Sequence, residues 1–184
     1  MTRYSLKEHI MAQQLLVITL LSNDQPGIVK QLADVISTHK GNWLESRMSQ
    51  LAGKFAGILK VSIDNPHSDT LIEALKQLGD SGIQVLVEHA DQLAVDQGKT
   101  LTFELVGADR MGIVSEISQA FSEKGINIDE LETHCSSMPW SGEPLFEANG
   151  LLIAPNDIDT EQLMEHLDAI EDKLGVDITL TEQL

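Results

Sequence analysis

Asp24-Gln25-Pro26-Gly27-Ile28-Val29 returns 85 residues later (109 − 24) as Asp109-Arg110-Met111-Gly112-Ile113-Val114. At the same offset Leu32 falls on Ile117, Ile36 on Phe121, Ser37 on Ser122 and Asn42 on Asn127. Each copy therefore reads as a strand, an acidic-glycine turn, an amphipathic helix, and an asparagine at the start of a second strand. A period this long exceeds any solenoid repeat, so it marks two copies of one small domain. The functional question becomes what two like sites can hold.

Working outward from the first turn, Leu15 to Leu21 is a mostly apolar strand, and Ile28, Val29, Leu32, Val35 and Ile36 share one helix face. Gly41 ends that helix. Trp43 to Leu51 and Phe55 to Ile63 form two extended runs around Ala52-Gly53-Lys54, a hairpin connection. Pro66 breaks the chain, and Ser68 or Asp69 caps a second helix through Leu71, Ile72, Leu75 and Leu78. Gly79 and Gly82 close it, and Ile83, Val85 and Val87 alternate as a last strand. The second copy repeats the order. Leu101, Phe103 and Leu105 mark its first strand, Ile113 to Phe121 its first helix, and Ile128 to Cys135 and Phe146 to Ala154 its middle strands. Leu163 to Leu174 and Val176 to Leu180 complete it.

The order βαββαβ, twice, predicts an α+β protein of two tandem ferredoxin-like domains. Each has an antiparallel sheet with both helices on one face. The expected division is an N-terminal arm or short helix over residues 1–13, domains over 14–90 and 100–184, and a linker over 91–99. Domains this small bury only roughly 60–65% of their extended-chain surface, so each leans on a neighbour. Open sheet edges point the same way: intramolecular pairing of the two domains, then a homodimer. Between its middle strands the second copy carries Ser136 to Leu145, whose two prolines and glycine predict an irregular loop. A loop presenting Met138 and Trp140 reads as a contact surface or lid.

Twelve basic residues against 29 acidic ones give a net charge of −17. Binding a phosphate backbone directly needs a local excess of Lys and Arg, and the basic residues here are scattered, so no nucleic-acid contact is expected. The longest apolar run is far too short to span a membrane, and Met1 to Gln14 lacks a signal-peptide layout. A single cysteine, Cys135, cannot form an internal disulfide, which suits a reducing cytoplasm.

The turns are where chemistry is expected. Gly27 and Gly112 let the backbone come close to a ligand, and the helix N-terminus behind each attracts a carboxylate. Asp24 and Asp109 can accept from an ammonium, and Asn42 and Asn127 offer both donor and acceptor. Together these groups suit a free amino acid, which is a zwitterion. Aspartate before a helix is first of all an N-cap, and duplication does not separate the two readings, since a cap would be duplicated too. Glu130, Glu132 and His134 point one way along a strand and Cys135 the other, so they do not converge as zinc ligands. No phosphate-binding loop, dinucleotide fingerprint or nucleophile elbow occurs, so neither a catalytic residue, a metal nor a cofactor is expected.

The βαββαβ order with Asp-x-[Pro]-Gly-Ile-Val and a downstream asparagine resembles the ACT domain, a regulatory module that often binds amino acids. More specifically, the chain resembles the glycine cleavage system transcriptional repressor family. The resemblance rests on Leu16-Val17-Ile18-Thr19, the first turn, Asn42, Glu45-Ser46-Arg47, Leu51, Gly53 and Phe55. In the second half it rests on the second turn, Asn127-Ile128 and the run Ser141 to Phe146. It implies a cytoplasmic regulator without a DNA-binding domain, associating with a LysR-type activator of the glycine cleavage operon in a manner weakened by glycine. The ligand residues it implies are Asp24, Pro26, Gly27, Ile28 and Asn42, with Asp109, Gly112, Ile113 and Asn127 in the second copy. Met111 stands where the family turn has proline, which makes the first turn the better-formed site. The competing expectation is a detached regulatory subunit of an amino-acid or one-carbon metabolic enzyme.

Overall fold

In the computed structural model the described residues are 13–90, 98–138 and 141–182, and they fall into two compact units. The first is built from β1 (Gln13–Asn23), α1 (Ile28–Thr38), β2 (Asn42–Leu51), β3 (Lys54–Asp64), α2 (Asn65–Gln77) and β4 (Gln84–His89). Its antiparallel sheet has the strand order β2-β3-β1-β4. Alternation along β1 sends Leu16, Ile18 and Leu20 into the core, where they meet Leu59, Val61 and Ile63 of β3. Ile28, Leu32 and Ile36 of α1 and Leu71 and Leu75 of α2 cover that face, each at helical spacing. Each such side chain contributes about 1.5–3 kcal/mol by leaving water.

The second unit repeats the plan with β5 (Lys99–Ala108), α3 (Ile113–Glu123), β6 (Asn127–Ser137), β7 (Pro144–Ala154), α4 (Thr160–Leu174) and β8 (Val176–Glu182). Its sheet order is β6-β7-β5-β8. Phe103 and Phe121 are fully buried and meet edge to face, ring centroids 5.5 Å apart at 68°. Both units are thus ferredoxin-like sandwiches. Even the bulges repeat: the register shifts between Trp43 and Glu45 and, 85 residues on, between Ile128 and Glu130.

Several local expectations need correction. Gln13, placed in the arm, opens β1, and Lys99, placed in the linker, opens β5; the remainder of the arm and residues 91–97 lie outside the described residues. The first hairpin loop is two residues long, since Lys54 already pairs with Leu51. Ala52 and Gly53 both take positive φ (50° and 77°), the backbone that matches the twist of flanking strands. Pro66 is the second residue of α2 instead of breaking the chain, because a first-turn position needs no N–H. Neither Ser68 nor Asp69 caps that helix; its N-cap is Asp64. The expected irregular stretch 136–145 is ladder at both of its ends. Ser136 pairs with Leu145 and Ser137 with Pro144, a proline tolerated as the first residue of a strand. The Met138 N–H donates to the Glu143 carbonyl at 2.8 Å and closes the short loop that remains, while Trp140 lies outside the described residues. The two helix exits share one geometry although their glycines, Gly41 and Gly125, stand one residue apart at the repeat offset. Lys40 (φ 63°) and Gly125 (φ 69°) are both left-handed, and the next N–H in each case reaches back to Ile36 or Phe121.

Candidate functional site

The sequence puts a glycine one residue before each of α1 and α3 because the chain must turn there through a backbone that other residues avoid. Gly27 has φ 96° and Gly112 φ 97°, and both are the N-caps of their helices. Neither helix has a side-chain cap. This rules out the capping reading of Asp24 and Asp109. A true aspartate cap exists elsewhere in the chain: at α4 the Glu161 and Gln162 N–H groups both donate to Asp159 Oδ1 at 3.1 Å. Asp24 is instead tied through its backbone, its N–H donating to the Gly53 carbonyl at 2.9 Å, and its side chain is exposed.

Beside the first turn lies a cavity of about 270 Å³ lined by Asp24, Gln25, Gly27, Ile28, Val29, Lys30 and Phe55. Intrahelical bonding starts with the Gln31 N–H donating to Gly27 O at 2.9 Å, so the N–H groups of residues 28–30 precede the ladder. No acidic residue occupies the first turn of α1. The result is a partly positive helix end bordering an open cavity, with a carboxylate, Asp24, at its mouth. Lys30 is engaged by Asp34 on the same helix, and Lys54 donates to Asn23 Oδ1 at 2.6 Å, so both nearby ammonium groups already have acceptors.

The second turn has the same backbone and a different charge. At the offset of 85 residues Gln31 becomes Glu116, which lies in the first turn of α3. Glu116 sits 2.6 Å from Lys173 Nζ and 3.5 Å from Arg110. The hydrogen bond from Lys173, then the charges of Lys173 and Arg110, hold its carboxyl below the ordinary carboxylate range. A fixed anion of the chain therefore occupies the dipole end that a ligand carboxylate would use. Met111, where proline stiffens the first turn, is 97% exposed.

Within each unit the structure brings together Asp24, Gly27 and Ile28, and likewise Asp109, Gly112 and Ile113, but not the asparagines. Asn42 pairs with Ser62, which pairs with Leu15 at the opposite end of β1 from the turn. Eight residues of strand separate Leu15 from Asn23, about 26 Å at ~3.3 Å per residue. Asn127, opposite Ile153 and hence Thr100, is displaced in the same way. An asparagine following the helix necessarily lies at the far end of the sheet, since α1 carries the chain back along it. Phe55 and Glu116 were missed as site residues. The first adjoins the turn only through the hairpin register; the second was visible as the Gln31 to Glu116 change between the copies.

Among known proteins, a family model of the ACT domain matches residues 14–88. A UPF0237 protein of Methanocaldococcus jannaschii is 32% identical over 78 residues, which is 41% of this chain and 87% of that protein. Among solved structures, a protein described only as unknown, from Galdieria sulphuraria, matches with a TM-score of 0.84 at 28% identity. That match spans 94% of this chain and 100% of the other. A protein proposed as a glycine cleavage system transcriptional repressor matches with a TM-score of 0.71 at 20% identity, over 93% of this chain and 98% of its own. At that identity the likeness shows a common two-domain fold.

Proposed function

Because the chain belongs to the ACT-domain family, we propose that it is an amino-acid-responsive regulator, not an enzyme, that represses glycine cleavage system transcription in the cytoplasm. It acts through a LysR-type activator and not by binding DNA itself. The observation that carries the reading is the first turn: the uncapped end of α1 faces the cavity that Asp24 borders. An amino-acid carboxylate accepts there from the free N–H groups of the helix, and its ammonium donates to Asp24. The ligand we favour is glycine, on the strength of the repressor named among the structural relatives. The second turn serves poorly for the same purpose because the Glu116 carboxylate, held by Lys173 and Arg110, already stands at that helix end.

The net charge of −17 supports action through a protein. A homodimer fits the fold, since each edge strand, β2, β4, β6 and β8, has a neighbour on one side only within its own sheet. A monomer by light scattering across micromolar concentrations contradicts that part. The functional reading is tested with labelled operator DNA, a LysR-type activator and the purified protein, with and without glycine. The protein alone leaves the DNA unshifted, alters the activator–DNA complex, and loses that effect as glycine is added. A salt-sensitive shift by the protein alone, or an association with the activator indifferent to glycine, overturns it.

A further inference from the structure

The two copies share a fold and divide the charge of the chain very unequally. Residues 13–90 carry eight carboxylate side chains against six Lys or Arg, whereas residues 98–182 carry eighteen against four. The imbalance has a place on the second sheet. On the face away from α3 and α4, Asp177 of β8, Glu104 of β5, Glu147 of β7 and Glu130 and Glu132 of β6 are all exposed. His134 completes the set, and among the described residues of β5, β6, β7 and β8 no Lys or Arg side chain belongs to that face. A trough of about 590 Å³ runs between these strands. The corresponding face of the first sheet is balanced, with Glu45 and Glu88 against Arg47 and Lys60, and Lys60 sits 3.0 Å from Glu45.

The register spaces the carboxylates in a checkerboard. Val106 separates Asp177 from Glu147 across one row, and the next row sets Thr179, Glu104, Asn149 and Glu132 side by side. Asp177, Glu104, Glu147 and Glu132 are therefore successive diagonal neighbours, roughly 7–8 Å apart. Consistent with this spacing, no group of three or more His, Cys, Asp or Glu among the described residues is placed to hold a metal ion. Separations near 7 Å do match alternate side chains of an extended strand, about 6.8 Å apart. Face-to-face association with the same surface of a second copy would set like charges together, which is unfavourable.

We propose that this face of the second domain docks a Lys/Arg-rich surface of a protein partner, with cationic side chains standing over the diagonal carboxylates. The inference rests on the reading that the protein works through a partner, and it assigns ligand sensing to the first domain and partner contact to the second. Thr102, Asn149 and Thr179 supply neutral hydrogen-bonding groups between the charges, and Val106 and Leu151 a small apolar contribution.

The test uses the full chain and a twelve-residue peptide of alternating Lys and Thr as the probe. Fluorescence anisotropy compares the unmodified protein with a face variant, Glu104→Gln with Glu147→Gln and Asp177→Asn, and with a variant of equal charge on α4, Glu161→Gln with Glu165→Gln and Asp168→Asn. The expected result is about a tenfold loss of affinity for the face variant, the combined worth of three exposed ion pairs, and a much smaller loss for the other. Amide shifts in the unmodified protein then cluster on β5, β6, β7 and β8, a measurement that stands even where a variant folds poorly. Equal losses in both variants, shifts centred elsewhere, or no binding of the peptide overturns the proposal. Glycine titrated into the face variant keeps the two ideas apart: unchanged glycine affinity with lost peptide binding supports the docking face. Failure of the peptide with normal glycine binding overturns the docking face alone.

Discussion

Phe103→Ala lowers the stability of the second domain by about 3–5 kcal/mol, the cost of deleting a large aromatic side chain from a packed core. Phe103 lies at the centre of β5, wholly buried, with Phe121 of α3 edge-on to its ring. The change removes buried area and an aromatic pair worth about 0.5–1.5 kcal/mol beyond area, and leaves a cavity that the sheet cannot close without bending. Small domains carry only about 5–15 kcal/mol of net stability, so the variant sits near the threshold of folding. Amide exchange along β5 measures it directly. A loss below about 1 kcal/mol contradicts the central place given to this residue.

Gly150→Ala is expected to cost about 3 kcal/mol, at the upper end for overpacking a core. The reason is a close approach. A Cβ built on Gly150 stands 2.0 Å from the Glu130 carbonyl oxygen and 2.7 Å from Phe103 Cε1. The carbonyl belongs to β6 at its bulge, so it cannot withdraw without opening the ladder to β7. Urea denaturation with local amide readout gives the value, and a stability within about 0.5 kcal/mol of the unmodified protein shows that the strands separate freely.

Most of the fold was legible because the repeat supplied each element twice. The α+β class, the βαββαβ order and the helix faces follow from apolar spacing and the turn residues alone. What escaped depends on which residues become neighbours across strands. The bulge at Leu44 and Asp129 leaves no mark in composition, and Pro144 reads as a breaker until its place as the first residue of β7 is known. The site was half legible. Gly27 and Asp24 are near in sequence and stay near in space, whereas Asn42 lies at the far end of the sheet because the helix carries the chain back between it and the turn. The capping role of Asp24 failed for a local reason: with Gly27 itself as N-cap, the aspartate stands three residues upstream, beyond the position from which a cap reaches the helix.

The central claim, that the first turn is the amino-acid site and the second is not, is tested most directly by calorimetric titration of glycine. The protein, Asp24→Ala, Gly27→Val and Gly112→Val are compared. A Cβ at residue 27 meets nothing within 4 Å, so the cost of Gly27→Val is the strain of a β-branched residue at positive φ, about 1–3 kcal/mol, and its fold is checked by melting before the titration is read. Asp24→Ala, whose carboxylate caps nothing, melts with the unmodified protein. The account predicts that the unmodified protein and Gly112→Val bind glycine alike, while Asp24→Ala and Gly27→Val fold and lose the heat of binding. Unchanged glycine affinity in Asp24→Ala and Gly27→Val would contradict it and leave both turns with a structural role alone.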